Sequence, residues 1–151
     1  MKNEINRALV AKKTKSLILC FVALMAMSFS SCKQTTGQVT WQFALSPEGT
    51  EAAQNVTNQL ENQMRLSYEG LGNYQAPYTD GSASYGGSVK NIKGKTYEEI
   101  RDKVAANTTS MASALEDFKF SNIDSCKIII TLFVDHTPTE MFNKTYYGDH
   151  E

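Results

Sequence analysis

The segment Ile123–Val134, IDSCKIIITLFV, constrains the fold of this chain more than any other. In an extended chain successive side chains alternate between faces. Cys126, Ile128, Ile130, Leu132 and Val134 therefore fall on one side, and Ile129, Thr131 and Phe133 on the other. A strand that is apolar on both faces belongs in the middle of a sheet. One face calls for a layer of helices. The other leaves Ile129 and Phe133 to be covered by the tail, by a second copy of the chain or by a partner, because exposed apolar patches mark such contacts.

Two segments have the pattern of the missing layer. Ser46-Pro47-Glu48 reads as a helix start, with serine as cap, proline in the first turn and an acid at the positive helix end. From there Ala53, Val56, Leu60 and Met64 step along one face to about Tyr68, leaving Asn55, Asn58, Glu61 and Arg65 for solvent. The second helix is expected from Tyr97 to about Phe118, on the stripe Ile100, Val104, Met111, Leu115 and Phe118. Thr96 and Glu99 have the spacing of a capping box at its start. Before the first helix, Val39–Leu45 alternates Val39, Trp41, Phe43 and Leu45 with Thr40, Gln42 and Ala44, the period of a half-buried strand. Ser88–Ile92 and Met141–Tyr147 are candidates for short strands. The fold class expected is α+β, a small and mostly antiparallel sheet with two amphipathic helices packed on one face. A split β-α-β, ferredoxin-like arrangement follows if Ser88–Ile92 joins the sheet.

The beginning of the chain has a different pattern. Lys12, Lys13 and Lys15 precede an almost unbroken apolar run, Ser16–Phe29, and the small residues Ser30 and Ser31 lead to Cys32. A basic start, a short apolar core and a small-residue exit are the parts of a secretory signal peptide. The apolar core is roughly 20 Å long as a helix, short of the ~20 residues that cross a bilayer. Phe29-Ser30-Ser31-Cys32 resembles the lipobox of bacterial lipoproteins, although leucine is commoner at the first position and glycine or alanine at the third. The resemblance implies cleavage before Cys32 and acylation of its thiol and new amino terminus. Lys33 occupies the position where an aspartate commonly signals inner-membrane retention, so the resemblance points to the outer membrane, on its periplasmic face or at the cell surface. On this reading residues 1–31 are removed, 32–38 form a short tether, and 39–151 are a single domain.

The segment from Cys32 to Glu151 carries ten Lys and Arg against fifteen Asp and Glu, a formal charge of −5. Phosphate neutralisation needs clustered cations, so nucleic acid is not an expected partner. With Cys20 removed and Cys32 acylated, Cys126 is the cysteine left. No internal disulfide is then possible, and a thiol inside an apolar strand reads as a buried one.

Four places invite a functional reading. Glu69–Gly87 holds five glycines with Tyr74, Tyr78 and Tyr85 interleaved. A long loop with tyrosines offers flat amphipathic area for a protein, peptidoglycan or glycan ligand, or else pins itself to its own domain or stays disordered. Gly94-Lys95-Thr96 has the ending of a phosphate-binding loop, but Val89 stands where its first glycine is required. Asp135, His136, Glu140, Asp149 and His150 gather acid–base and metal-ligating groups in the tail, yet spread them over a turn and a terminus. Trp41 belongs to the apolar series of its strand and reads as core. The function expected is a membrane-anchored, non-catalytic binding or assembly module of the bacterial envelope, needing no cofactor and able to form homo-oligomers. The alternative is a small hydrolase or metal-dependent enzyme using Asp135 and His136.

Overall fold

Five strands and two helices make up most of the residues described by a computed structural model, residues 34–77 and 86–149. Strand β1 (Thr35–Ser46) leads to helix α1 (Glu51–Tyr68), a single 3₁₀ turn (Glu69–Leu71) and strand β2 (Asn73–Gln75). Strand β3 (Ser88–Gly94), helix α2 (Tyr97–Glu116), and strands β4 (Ser125–Val134) and β5 (Thr137–Tyr147) follow. The strands form one sheet in the order β2-β3-β1-β4-β5, with every neighbouring pair antiparallel. With α1 joining β1 to β2 and α2 joining β3 to β4, this is the split β-α-β connectivity expected for a ferredoxin-like arrangement, extended by β5. The domain boundary falls before Gln34. Among the described residues, no helix is long and apolar enough to cross a membrane.

The expected α+β class is the one observed. One face of the sheet and the inner stripes of both helices make a single core. Val39, Trp41, Phe43 and Leu45 of β1 meet Cys126, Ile128, Ile130 and Leu132 of β4, under Leu60 and Met64 of α1 and Ile100, Val104 and Met111 of α2. β4 sits between β1 and β5 and pairs along its whole length with both, which is why it reads as apolar on two faces. Cys126 is buried and free, and burial pushes its thiol up to about 12.

Several boundaries differ from their sequence signals for identifiable reasons. β1 starts at Thr35, so residues 35–38, expected in the tether, belong to the sheet. Thr35 pairs with Gly94 and Gly37 with both Ile92 and Val134. At the other end, Ser46 is still in the ladder, opposite Ser125, and its carbonyl accepts the Asp124 N–H at 2.7 Å. It therefore does not cap the helix, and Pro47 follows it through a cis peptide bond. Thr50 caps instead, its Oγ1 accepting the Ala53 N–H at 3.1 Å. The pairing with β4 overrides a favourable local cap.

The start of α2 follows its signal more closely. Thr96 Oγ1 accepts the Glu99 N–H at 3.2 Å, but Glu99 reaches past the cap to the Lys95 N–H at 2.9 Å. That bond and the one from Lys103 hold the Glu99 carboxyl below its usual value, with Lys103 contributing most.

Candidate functional site

Of the two readings open for Tyr74, ligand contact or pinning of the loop to its own domain, the structure shows the second. Tyr74 lies on β2 opposite Val89, with its ring stacked on Trp41 at 6.3 Å between centroids. Trp41 also stacks on Tyr68 at 5.7 Å. Its indole Nε1–H donates to Glu61 Oε2 at 2.7 Å, and the Tyr74 hydroxyl donates to Glu61 Oε1 at 2.8 Å. One carboxylate thus accepts from two aromatic side chains on different strands. Tyr74 is an internal contact rather than a ligand platform. Tyr78 and Tyr85 lie outside the described residues.

Glu61 itself is a correction. Its sequence position placed it on the solvent side of α1, whereas it is half-buried and holds the cluster together. The available signal was its spacing. Thr57, Glu61, Met64 and Tyr68 step at four, three and four residues, which sets Glu61 on the flank of the core stripe. An indole N–H buried with Trp41 needs an acceptor, and this flank is where α1 can supply one.

The glycines just before β3 fit the same cluster. Gly87 accepts the Trp41 N–H at 3.2 Å. A Cβ there would collide with Glu61 Oε1 and stand 2.8 Å from Trp41 Cζ2, and a Cβ at Gly86 would collide with the Trp41 carbonyl oxygen. Both glycines allow close approach to Trp41, Gly87 to its indole and Gly86 to its backbone carbonyl.

A separate polar pair lies on the other side of the Trp41–Tyr68 stack. The Tyr68 hydroxyl pairs with Thr108 Oγ1 at 2.8 Å, and Thr108 donates to the Val104 carbonyl at 2.7 Å. Thr108 was a gap in the apolar stripe of α2, and its role is to satisfy a tyrosine of α1. Burial pushes the Tyr68 phenol from 10.0 up to about 12, with the Thr108 bond opposing it. Tyr74 is raised to about 12 by burial first and then by its bond to Glu61.

A stability change follows from Tyr68. The unfolded chain releases this proton near 10 while the folded chain keeps it to about 12. The stability is present below pH 10 and is lost as the pH rises towards 12. For Tyr68 that loss is on the order of 2–3 kcal/mol. Tyr68→Phe is expected to flatten the fall of urea midpoint across this range. An unchanged slope would show that Tyr68 titrates at its ordinary value.

The other nominated residues are not brought together. Asp135 and His136 are the two central residues of the β4–β5 turn, with φ of 49° and 63°. A two-residue hairpin of this kind needs both centres at positive φ, and Asp and His are among the residues that tolerate it. Both are exposed at the tip. Glu140, on β5, bonds Asn143 at 3.0 Å, and Asp149 bridges to Ser121 by its backbone. His150 lies outside the described residues. Among the described residues no three His, Cys, Asp or Glu side chains converge to hold a metal. Gly94-Lys95-Thr96 leads from β3 into the cap of α2, as a plain strand-to-helix connection.

Two surfaces remain. The outer face of the sheet carries Gln38, Thr40 and Gln42 beside Phe133, Thr131 and Ile129, which in turn lie beside Pro138, Glu140 and Asn143. Ile129 and Phe133 are half-buried there among polar neighbours. An open groove of about 650 Å³ lies between the 3₁₀ turn, β3 and α2, lined by Thr36, Gly72, Asn73, Asn91, Lys93 and Lys103. No family model, curated protein or solved structure matches the chain, so the geometry of these surfaces is what a functional reading rests on.

Proposed function

We propose that this chain is a lipid-anchored, non-catalytic binding module of the bacterial cell envelope, held by acyl chains on Cys32 and presenting the outer face of its sheet to a protein or glycan partner. The observation that carries this reading is the adjacency of two features. The lipobox-like Phe29-Ser30-Ser31-Cys32 ends three residues before the first strand of a self-contained domain. Two or three acyl chains anchor firmly where one is marginal. Lys33 after the cysteine favours the outer membrane. The binding surface moves from the tyrosine loop to the sheet, because Tyr74 is engaged internally, whereas both helices pack on the inner face and leave Ile129 and Phe133 to the other.

The hydrolytic alternative has less support, since turn geometry already accounts for Asp135 and His136. Intact mass of the protein from native membranes tests the anchor. The expected mass is that of Cys32–Glu151 plus two or three acyl chains, and a species starting elsewhere without lipid overturns it. A photo-crosslinking residue at Thr131 tests the surface, with Leu66 as control because it is 57% exposed on α1. Adducts in living cells are expected from Thr131 and not from Leu66. The reverse pattern, or none from Thr131, rejects the sheet face.

A further inference from the structure

The two edges of the sheet are unequal. β2, on one edge, is 3 residues long. β5, on the other, is 11 residues long and pairs with β4 alone among the described residues. A long open edge invites another strand, and proteins blunt such edges with short strands, prolines or bulges. The first half of β5 has two of these devices, Pro138 and the irregularity at Met141, where Thr131 pairs with Glu140 but Ile130 with Phe142. Asn143–Tyr147 has neither.

The backbone fixes which groups this half presents. The Gly148 N–H bonds the Asp124 carbonyl at 3.1 Å, continuing the β4–β5 ladder. Bonding alternates along an antiparallel strand. Tyr146 and Lys144 therefore also turn their backbone groups to β4, and Tyr147, Thr145 and Asn143 turn theirs away from it. Those three residues are exposed, Tyr147 to 79%. Their side chains share the outer face with Ser125, Lys127 and Ile129, which lie opposite them, while Lys144 and Tyr146 share the inner face with Ile128 and Cys126.

We propose that two copies of this chain pair edge to edge through Asn143–Tyr147, antiparallel about a two-fold axis at Thr145, and so join their sheets into one. Centred there, Asn143 meets the second copy's Tyr147, Thr145 meets Thr145, and Lys144 meets Tyr146. Every outward N–H and C=O of the segment gains a partner. The side chains are self-complementary in the same register. Lys144 carries the charge of the segment and already lies over its own Tyr146 ring, 4.7 Å from Nζ to the centroid. Pairing sets it opposite a second phenol ring, with no like charge opposite it. Neighbouring registers are worse. Moving the axis one residue towards the bulge sets Lys144 against Lys144 and Tyr147 against Met141. Moving it one residue the other way sets Asn143 against Asp149, whose carbonyl already accepts the Asn122 N–H at 3.0 Å. On the outer face, the second copy's Tyr147 extends the row Ile129–Asn143, so an exposed ring gains cover. The contact is far smaller than the roughly 20 residues a side of a standard complex. The pair is therefore weak, and the test traps it.

The purified full-length protein is oxidised with copper phenanthroline after single substitutions to cysteine. Cys126 is buried, and the parent chain gives the background from its other cysteines. Residues opposite one another at the axis have Cα atoms about 5.5 Å apart, within disulfide range. Asn143 and the second copy's Asn143 stand about 13 Å apart. Thr145→Cys is expected to form a disulfide-linked dimer. Asn143→Cys and Tyr147→Cys should each give background alone, and a linked pair when mixed. Adding Asn143→Pro to Thr145→Cys removes an outward N–H from each copy and should lower the yield about tenfold, with circular dichroism checking the fold. A Thr145→Cys yield no higher than that of Asn143→Cys, or dimers from Thr131→Cys on the outer face in its place, overturns the edge pairing. That positional pattern decides the matter without the proline variant. The pairing uses only the folded domain, so its failure leaves acylation of Cys32 untouched.

Discussion

Trp41→Ala is expected to cost about 3–5 kcal/mol, the range for removing a large aromatic side chain from a core, and to lower the urea midpoint accordingly. Trp41 is 1% exposed and stacks on both Tyr68 and Tyr74. Truncation opens a cavity in the middle of β1. It also frees Glu61 Oε2 from its indole donor and removes the surface against which Gly87 closes. A domain of this size has about 5–15 kcal/mol in total, so one such loss is a large fraction. Urea unfolding followed by circular dichroism measures it. Trp41→Phe should recover part of the loss by restoring ring area without the N–H. A Trp41→Ala midpoint within about 1 kcal/mol of the parent would mean that the stack contributes little.

Glu61→Leu should be the most damaging substitution at a position that is not fully buried, about 2–4 kcal/mol, because it strands two donors at once. A buried donor left without an acceptor costs about 1–3 kcal/mol. The indole N–H has no other acceptor in the described residues, and the Tyr74 hydroxyl loses its partner as well. Glu61→Gln keeps one carbonyl acceptor and should lose about half as much. The Trp41 and Glu61 substitutions share an interaction, so their combined effect is expected to fall short of the sum, and a double-mutant cycle reads the coupling. If Glu61→Leu were neutral, the carboxylate would be a surface group after all, as its place in the helix pattern first implied.

That contrast shows where sequence patterns were informative. Strand β4 was legible because its apolar residues alternate on both faces, and only a central strand of a two-layer fold can satisfy that. The two helices were legible from their three-and-four spacing, and the capping of α2 from Thr96 and Glu99. The class followed, and so did the split β-α-β order on the condition that Ser88–Ile92 join the sheet, which it does as part of Ser88–Gly94. The boundaries of β1 were not legible. Thr35–Gln38 carries no apolar signal, and Ser46-Pro47-Glu48 carries a helix signal. Ladder bonds to β3 and β4, made by segments about 55 and 80–100 residues away, hold both ends in the sheet.

The candidate sites divide on the same line. The local pattern around Tyr74, glycines with interleaved tyrosines, left a ligand-binding loop and a loop pinned to its own domain both open. Pairing of β2 with β3 brings the ring onto Trp41, and Glu61 arrives from a helix to bind both. Asp135 and His136 looked like chemistry because of their side chains, and they are placed by their backbone, at the positive φ a tight hairpin demands. By itself the sequence determined the two-sided strand and the two helix faces, which depend on residues close together along the chain. Tertiary structure alone decided which polar residues face inward and where β1 begins and ends, because each depends on groups far apart in sequence meeting across the core.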